Sequence, residues 1–325
     1  MTNKMTFIDF CSGIGAGRLG LEKSGMVCVA HSEINEDTDK TYISLFNDNN
    51  NLGDLTKIIP ETLPNVDLLI AGFPCQTFSI VGQRKGFSDE RGQIIYYLAK
   101  ILQTKQIPYF ILENVKGLVN HDHGRTLQKI LDLLDSVGYI VNYKVLNSSY
   151  FGIPQIRERV YFVGIRKDLY NKPYFFPSSA IKQSLNIQDY LLLDNKDELC
   201  VTDKTFQRYL NNKYNQNRIN LDEILGVDYQ VLDTRQSDLR IYSGVCPTLR
   251  TGRHGLLYTK NHKLIKLSGL ESLLLQGFPK DFLNNVKYVS NSKLLSQAGN
   301  AMTVNVIEEI GKSIVKYVNK DETDD

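Results

Sequence analysis

The sequence predicts an α/β fold: a doubly wound, mainly parallel sheet joined to a second, smaller domain that is irregular and β-rich. Two observations carry this. In the first half, short runs of β-branched and aromatic residues alternate with longer stretches at helical spacing, which is how successive βαβ units read. Past Lys167 the alternation gives way to Asn, Asp, Lys and Tyr with short strand-like pieces, and helical spacing returns only near residue 290. At 325 residues the chain is long enough for two domains.

Strands are expected at Thr6–Phe10, Val27–His31, Val66–Ala71, Tyr109–Leu112, Tyr139–Leu146 and Val160–Ile165. Helices fill the gaps at Arg18–Gly25, Thr38–Phe46, Gln93–Lys105 and Thr126–Val137. The second domain shows strand-like pieces at Leu239–Ser243 and Leu256–Thr259. A last helix, with Val304, Ile307, Ile310, Ile314 and Val318 at helical intervals, rejoins the first domain. The expected domains are therefore 1–180 plus 290–325, and 181–289. In such a sheet ligands sit outside the carboxyl ends of the strands.

Composition narrows the class. With 42% apolar and 23% charged residues, 23 Gly and 9 Pro, the chain is not disordered, collagenous or repetitive. No apolar run reaches the ~18 residues of a membrane span, and Met1-Thr2-Asn3-Lys4 leads into a strand, so a cytoplasmic protein without a membrane partner is expected. The five cysteines (11, 28, 75, 200 and 246) contain no C-x-x-C pair, which argues for reduced thiols and no metal site. The net charge of +2 announces no polyanion. Between Arg235 and Lys266, however, seven basic residues face only Asp238, a local surplus of +6.

Chemistry-bearing residues cluster at the expected strand ends. The first strand runs into Cys11-Ser12-Gly13-Ile14-Gly15-Ala16-Gly17, a turn whose glycines let backbone approach a negative group. Glu33 ends the second strand, where a carboxylate can accept ribose hydroxyls. Together they imply an adenosine-type cofactor. Residues 15–20 also satisfy G-x-G-x-x-G, so a nicotinamide dehydrogenase stands as an alternative. The third strand ends in Gly72-Phe73-Pro74-Cys75-Gln76, which fixes a thiol in a cleft. A glycine-punctuated loop follows, with Arg84, Lys85 and Arg91 suited to a flap that meets phosphates. The fourth strand hands its apolar run directly to Glu113-Asn114; a buried Glu is costly unless protonated or paired, and at a sheet's ligand edge function explains that cost better than packing. Arg157 and Arg159, two apart, are expected on one face of a strand, to pair with Glu158 or to recognise phosphate and a base oxygen.

These residues, in this order, resemble the bacterial DNA cytosine-C5 methyltransferases of type II restriction–modification systems. The shared set is the 13–17 loop, Glu33, Gly53-Asp54, Pro74-Cys75-Gln76, the Gly86–Gly92 loop, Glu113-Asn114-Val115, Gln155-x-Arg157-x-Arg159 and Gly299-Asn300. The match spans nearly the whole chain. Two departures stand out: Cys11 replaces the usual Phe at the adenine-stacking position, leaving Phe10 as another source of the ring, and Ala301-Met302 replaces Ser-Val.

The resemblance implies an S-adenosyl-L-methionine-dependent, Rossmann-like catalytic domain with a target-recognition domain. S-adenosyl-L-homocysteine is the implied product, and no metal is required. Cofactor contacts are carried to Phe10, Cys11, Gly13, Ile14, Gly15, Glu33, Ile34, Asp54, Leu55, Pro74, Asn300 and Met302. Catalysis is carried to Cys75, Glu113, Asn114, Arg157 and Arg159. Carbon 5 of cytosine is a poor nucleophile; a Cys75 thiolate adding at carbon 6 makes an enamine, Glu113, protonated or sharing a proton with N3, neutralises the charge there, and Arg159 stabilises the thiolate and holds O2. The base must leave the duplex stack for this attack. Contacts to double-stranded DNA fall to Gln76, Ser79, Val81, Arg84, Lys85, Arg235, Gln236, Arg240, Arg250 and Arg253. The implied protein is a cytoplasmic monomer whose endonuclease partner is paired with it only genetically. A transfer-RNA methyltransferase and a non-enzymatic DNA-binding protein are the other readings; the second leaves Cys75 and Glu113 without a role.

Overall fold

The computed structural model describes residues 4–74, 94–179, 185–192 and 197–319. It begins with β1 (Thr6–Phe10), α1 (Ala16–Lys23), β2 (Val27–Ser32), α2 (Glu36–Phe46), β3 (Leu68–Gly72) and α3 (Ile94–Lys105). Then come β4 (Tyr109–Val115), α4 (Arg125–Ser136), β5 (Tyr139–Asn147), the two-residue β6 (Gln155–Ile156) and β7 (Glu158–Arg166). Six of these strands form one sheet in the order β2-β1-β3-β4-β7-β5. The pairings of β1 with β2 and β3, and of β3 with β4, are parallel. β7 runs against both its neighbours and is the reversed strand of this mainly parallel sheet.

The winding direction changes at β1: the chain goes to β2 on one side and to β3 and β4 on the other. The carboxyl ends of β1 and β3 therefore flank the crevice where ligands of open α/β sheets bind. β1 is buried from Phe7 to Phe10, because the sheet is covered on both faces. One face packs Ile8, Phe10, Leu69, Phe110, Leu112 and Phe162 into a single core. β4 runs three residues past its expected end at Leu112. Pairing with β7 down to Val115 opposite Arg159 satisfies the backbone there and places Glu113 and Asn114 within the strand.

The chain divides into two compact units: Met1–Asn147, Glu158–Ala180 and Met302–Asp325 form the first, and Ser148–Arg157 with Ile181–Ala301 the second. This differs from the expected boundaries at 148–157 and 290–301. Gln155 and Ile156 pair with Cys246 and Pro247 in a two-stranded parallel ladder, and the Asn291 side chain accepts from the Gly269 amide at 2.6 Å. In the first unit, the Tyr174 hydroxyl meets Ser313 of the last helix (Val304–Asn319) at 2.6 Å.

The second unit contains β8 (Glu198–Leu199), α5 (Lys204–Leu210), α6 (Leu221–Leu225), β9 (Gln230–Asp233), β10 (Arg240–Ser243) and β11 (Cys246–Pro247). It continues with β12 (Leu256–Lys260), β13 (Lys263–Lys266), α7 (Gly269–Leu274) and α8 (Asn291–Asn300). An antiparallel sheet, β10-β9-β12-β13-β8, covers a small core of Phe206, Leu232, Leu239, Leu257 and Leu264. Among the described residues no helix is long and apolar enough to cross a membrane.

Candidate active site

After β1 the backbone turns through left-handed conformations at Cys11, Gly13 and Gly15. Only glycine fits at 15: φ is 80°, and a Cβ there would lie 2.3 Å from the Phe46 ring. The Gly13 amide donates to Glu33 Oε2 at 2.9 Å and the Asn35 amide to Oε1 at 2.8 Å. The carboxylate is thus fixed beside the loop and keeps a lone pair on each oxygen for a ligand. Ile34, next in sequence, is 72% exposed, an apolar surface suited to the face of a ring.

A residue that sequence reasoning missed holds this corner. Asn51 Oδ1 accepts from the amides of Glu33 and Gly53, and its Nδ2 donates to the Glu33 carbonyl. Asp48-Asn49-Asn50-Asn51 is a low-complexity polar run that singles out no one amide; the only signal is the adjoining Gly53-Asp54. Asp54 itself accepts from the Thr56 amide and hydroxyl, and these bonds hold its carboxyl below the usual range.

Several expected cofactor contacts are corrected. Phe10 is fully buried in the sheet core and offers no ring to a ligand. Leu55 belongs to the same core, and the Ile14 side chain is also buried, which leaves only its backbone to border the loop. Cys11 is half-buried; burial, reinforced by the Glu33 and Asp9 carboxylates, pushes its thiol up to about 12. The G-x-G-x-x-G match also dissolves, since Gly17 and Gly20 lie inside α1, facing Ile70, Met302 and Ile307. Met302 is buried there, and Pro74 and Asn300 are exposed, Asn300 at the end of α8 in the second unit.

At the carboxyl end of β4, Glu113 is paired in register with Gly72 of β3 and is largely buried. Arg159 Nε lies 3.1 Å from Glu113 Oε1, and Arg159 Nη1 donates to the Glu158 carbonyl at 2.8 Å. The Glu158 carboxylate pairs instead with Lys116. Asn114 is buried; its Nδ2 donates to the Phe73 carbonyl at 2.9 Å, and its Oδ1 accepts from the Val115 amide. The strand that carries the Glu113–Arg159 pair is thereby tied to the backbone two residues before Cys75. Cys75, Gln76, Ser79, Val81, Arg84 and Lys85 lie outside the described residues.

The expectation that Arg157 and Arg159 share a strand face is overturned. β6 ends at Ile156 and β7 begins at Glu158, so Arg157 sits in the break between them, in the second unit. Its guanidinium is buried and donates to the carbonyls of Leu249, Gly299 and Ala301, which leaves it no direct catalytic role. Arg235 is corrected likewise: it is buried against Asp233 in a bidentate pair and also donates to the Thr248 carbonyl, so it cannot read a base. Arg240 is exposed and pairs with Asp238; Gln236 is half-buried, and Arg250 and Arg253 are exposed. Among the described residues no group of three or more His, Cys, Asp or Glu side chains could hold a metal ion.

Comparison with known proteins joins these parts. Residues 5–316 match the family model for C-5 cytosine-specific DNA methylases. The chain is 38% identical over 309 residues to the type II methyltransferase M.NgoBI of Neisseria gonorrhoeae, covering 94% of this chain and 91% of that one. It is 35% identical over 318 residues to M.DsaV of Dactylococcopsis salina (97% and 87%), and 32% identical over 322 residues to M.HhaI of Haemophilus parahaemolyticus (97% and 95%). Among solved structures, the S. pombe Dnmt2 methyltransferase matches with a TM-score of 0.69 at 19% identity, over 97% of this chain and 100% of that one. A putative DNA modification methyltransferase encoded within an E. coli prophage matches with a TM-score of 0.67 at 20% identity, with the same coverages. At these identities the structural likeness concerns the fold alone.

Proposed function

Because the chain belongs to the C-5 cytosine-specific DNA methylase family and is a DNA cytosine-5-methyltransferase, we propose that it methylates a cytosine swung out of a specific duplex site, with S-adenosyl-L-methionine as donor. The residues present fit that donor. The Glu33 carboxylate, held by the Gly13 and Asn35 amides, would take the ribose hydroxyls, Ile34 would cover a face of the adenine, and the Gly13–Gly15 backbone would border the chain that follows. When bound, the donor supplies an electrophilic methyl group and leaves as S-adenosyl-L-homocysteine.

The protein's own residues prepare the ring. Cys75 adds to carbon 6 as a thiolate, forming a carbon–sulfur bond and moving electron density to carbon 5. A protonated Glu113 passes its proton to N3 as negative charge develops there and is left as the carboxylate, while Arg159 orients Glu113 from 3.1 Å and donates to O2. Asn114 holds the Phe73 carbonyl, one residue before Pro74. Once carbon 5 carries the methyl group, its proton passes to a water and the carbon–sulfur bond breaks, expelling Cys75 as the thiolate and restoring the aromatic ring. The single observation behind this reading is the Asn114–Phe73 bond, which links the acid–arginine pair to the Pro-Cys segment.

The same reading makes the protein a cytoplasmic monomer that protects host DNA from a cognate restriction endonuclease. The test is methyl incorporation from labelled donor into duplex DNA and, separately, into transfer RNA. Label in DNA is expected; label in RNA alone would overturn the substrate.

A further inference from the structure

The second unit carries a feature that the methylation chemistry does not use. Four consecutive residues, Cys246 to Leu249, are pinned through their backbones or hydroxyl to the Gln155–Arg157 stretch. The Cys246 amide donates to the Pro154 carbonyl at 2.7 Å, and Cys246 and Pro247 pair with Gln155 and Ile156. The Thr248 hydroxyl donates to the Ile156 carbonyl at 2.6 Å. Leu249 is gripped on both sides: its amide donates to Gln155 Oε1 at 3.0 Å, and its carbonyl accepts from Arg157 Nη1 at 3.1 Å.

Both gripping side chains are anchored elsewhere in the unit. Gln155 Nε2 donates to the Leu275 carbonyl at 2.7 Å. Arg157 Nη2 donates to the carbonyls of Gly299, at 3.2 Å, and Ala301, at 2.7 Å. At Gly299 the backbone of the next segment lies directly against the helix end: a Cβ there would stand 2.4 Å from the Thr251 nitrogen and 2.5 Å from the Arg250 carbonyl carbon. Burying a guanidinium costs free energy that an apolar side chain would avoid. A planar fork of donors, however, can fix three carbonyls from two segments in one geometry. Immediately beyond the clamp come Arg250 and Arg253, both exposed and, among the described residues, in no ion pair.

We propose that Gln155, Arg157 and Gly299 are positioning residues that set the place of the Thr248–Arg253 segment and thereby sustain the enzyme's discrimination between its preferred duplex site and single-mismatch neighbours. This rests on the methyltransferase reading above. Bidentate contact with a base edge tolerates little displacement, and each such contact is worth about tenfold to hundredfold in discrimination.

The test compares kcat/KM on the preferred duplex with kcat/KM on its single-mismatch neighbours, the preferred site being found by sequencing methylated positions. Gly299→Ala forces the Arg250–Thr251 backbone to move and is expected to lower that ratio about tenfold, mainly through KM for DNA, with kcat on the preferred duplex changed less. Arg157→Met is expected to do the same and Arg157→Lys to restore part of the ratio. Thr248→Val removes one hydrogen bond at nearly constant shape, keeps the test open should the other variants not fold, and should lower the ratio about threefold. Unchanged ratios in the folded variants, or equal losses of kcat on every duplex, would overturn the proposal. A wild-type enzyme that methylates no duplex would overturn the underlying reading instead, and the proposal with it.

Discussion

Two charged stretches that the sequence singles out differ in what folding leaves them free to do. At the edge of β1 and β2, the Glu33 carboxylate is fixed by two amides and Asn51 holds its backbone, yet lone pairs on both oxygens remain for a ligand. In the basic segment from Arg235 to Lys266, five of the seven basic side chains are paired with carboxylates: Arg235 with Asp233, Arg240 with Asp238, Lys260 with Asp228, Lys263 with Glu198, and Lys266 with Asp197. A carboxylate placed by backbone donors keeps its chemistry for a partner. A run of cations summed along the chain does not, because three of those five acids, Asp197, Glu198 and Asp228, are distant in sequence and reach it only when β8, β9, β12 and β13 assemble.

The largest effect that sharpens this contrast is expected at Glu33. Glu33→Ala should raise the dissociation constant for S-adenosyl-L-methionine about ten- to hundredfold, since charge-assisted hydrogen bonds are lost, and should leave DNA affinity near wild type. Calorimetric titration measures it, and an unchanged constant would put the donor elsewhere. Next comes the basic segment. Arg253→Gln should weaken duplex binding and lower the salt dependence by about one phosphate contact, whereas Lys263→Gln, paired with Glu198, should change neither appreciably. Equal responses from the two would restore the summed charge as the better guide.

The smallest effect concerns Asp9, fully buried on β1 beneath the glycine loop, whose carboxyl is held well above the usual range by burial. The native state keeps a proton that the unfolded chain releases above about pH 4, so unfolding is favoured as pH rises through that window. Asp9→Asn lacks this penalty. Its stability relative to wild type should therefore increase from pH 4 towards neutrality in denaturant titrations; a constant difference would mean that Asp9 is ionised in the fold.

Much of the first unit was legible because strand ends can be read from apolar runs, and the chemistry stands where those runs stop: Gly13, Glu33 and Glu113 are all found there. What was not legible depended on contacts between distant residues. Spacing of two put Arg157 and Arg159 on one face, but the strand breaks at Arg157 and sends its guanidinium to carbonyls some ninety to one hundred and forty residues away. Phe10 was offered to a ligand because Cys11 stands where the resembling family has Phe, yet a sheet covered on both faces claims it for the core. Asn51 is one of three consecutive asparagines, and nothing in that run singles out the one that bonds Glu33 and Gly53.

The central claim is a covalent bond between Cys75 and carbon 6 of the target cytosine. Duplex DNA containing 5-fluorocytosine at the methylated position blocks the final proton loss and should trap the enzyme in a cross-linked species. Peptide mapping should place that link at Cys75, and Glu113→Gln should slow its formation about a hundredfold or more. The competing thiol is Cys200, exposed and made more acidic by its hydrogen bond with Thr202; burial pushes Cys11, Cys28 and Cys246 up to about 12. A cross-link that survives Cys75→Ala, or none in the wild-type enzyme while methylation proceeds, would contradict the mechanism.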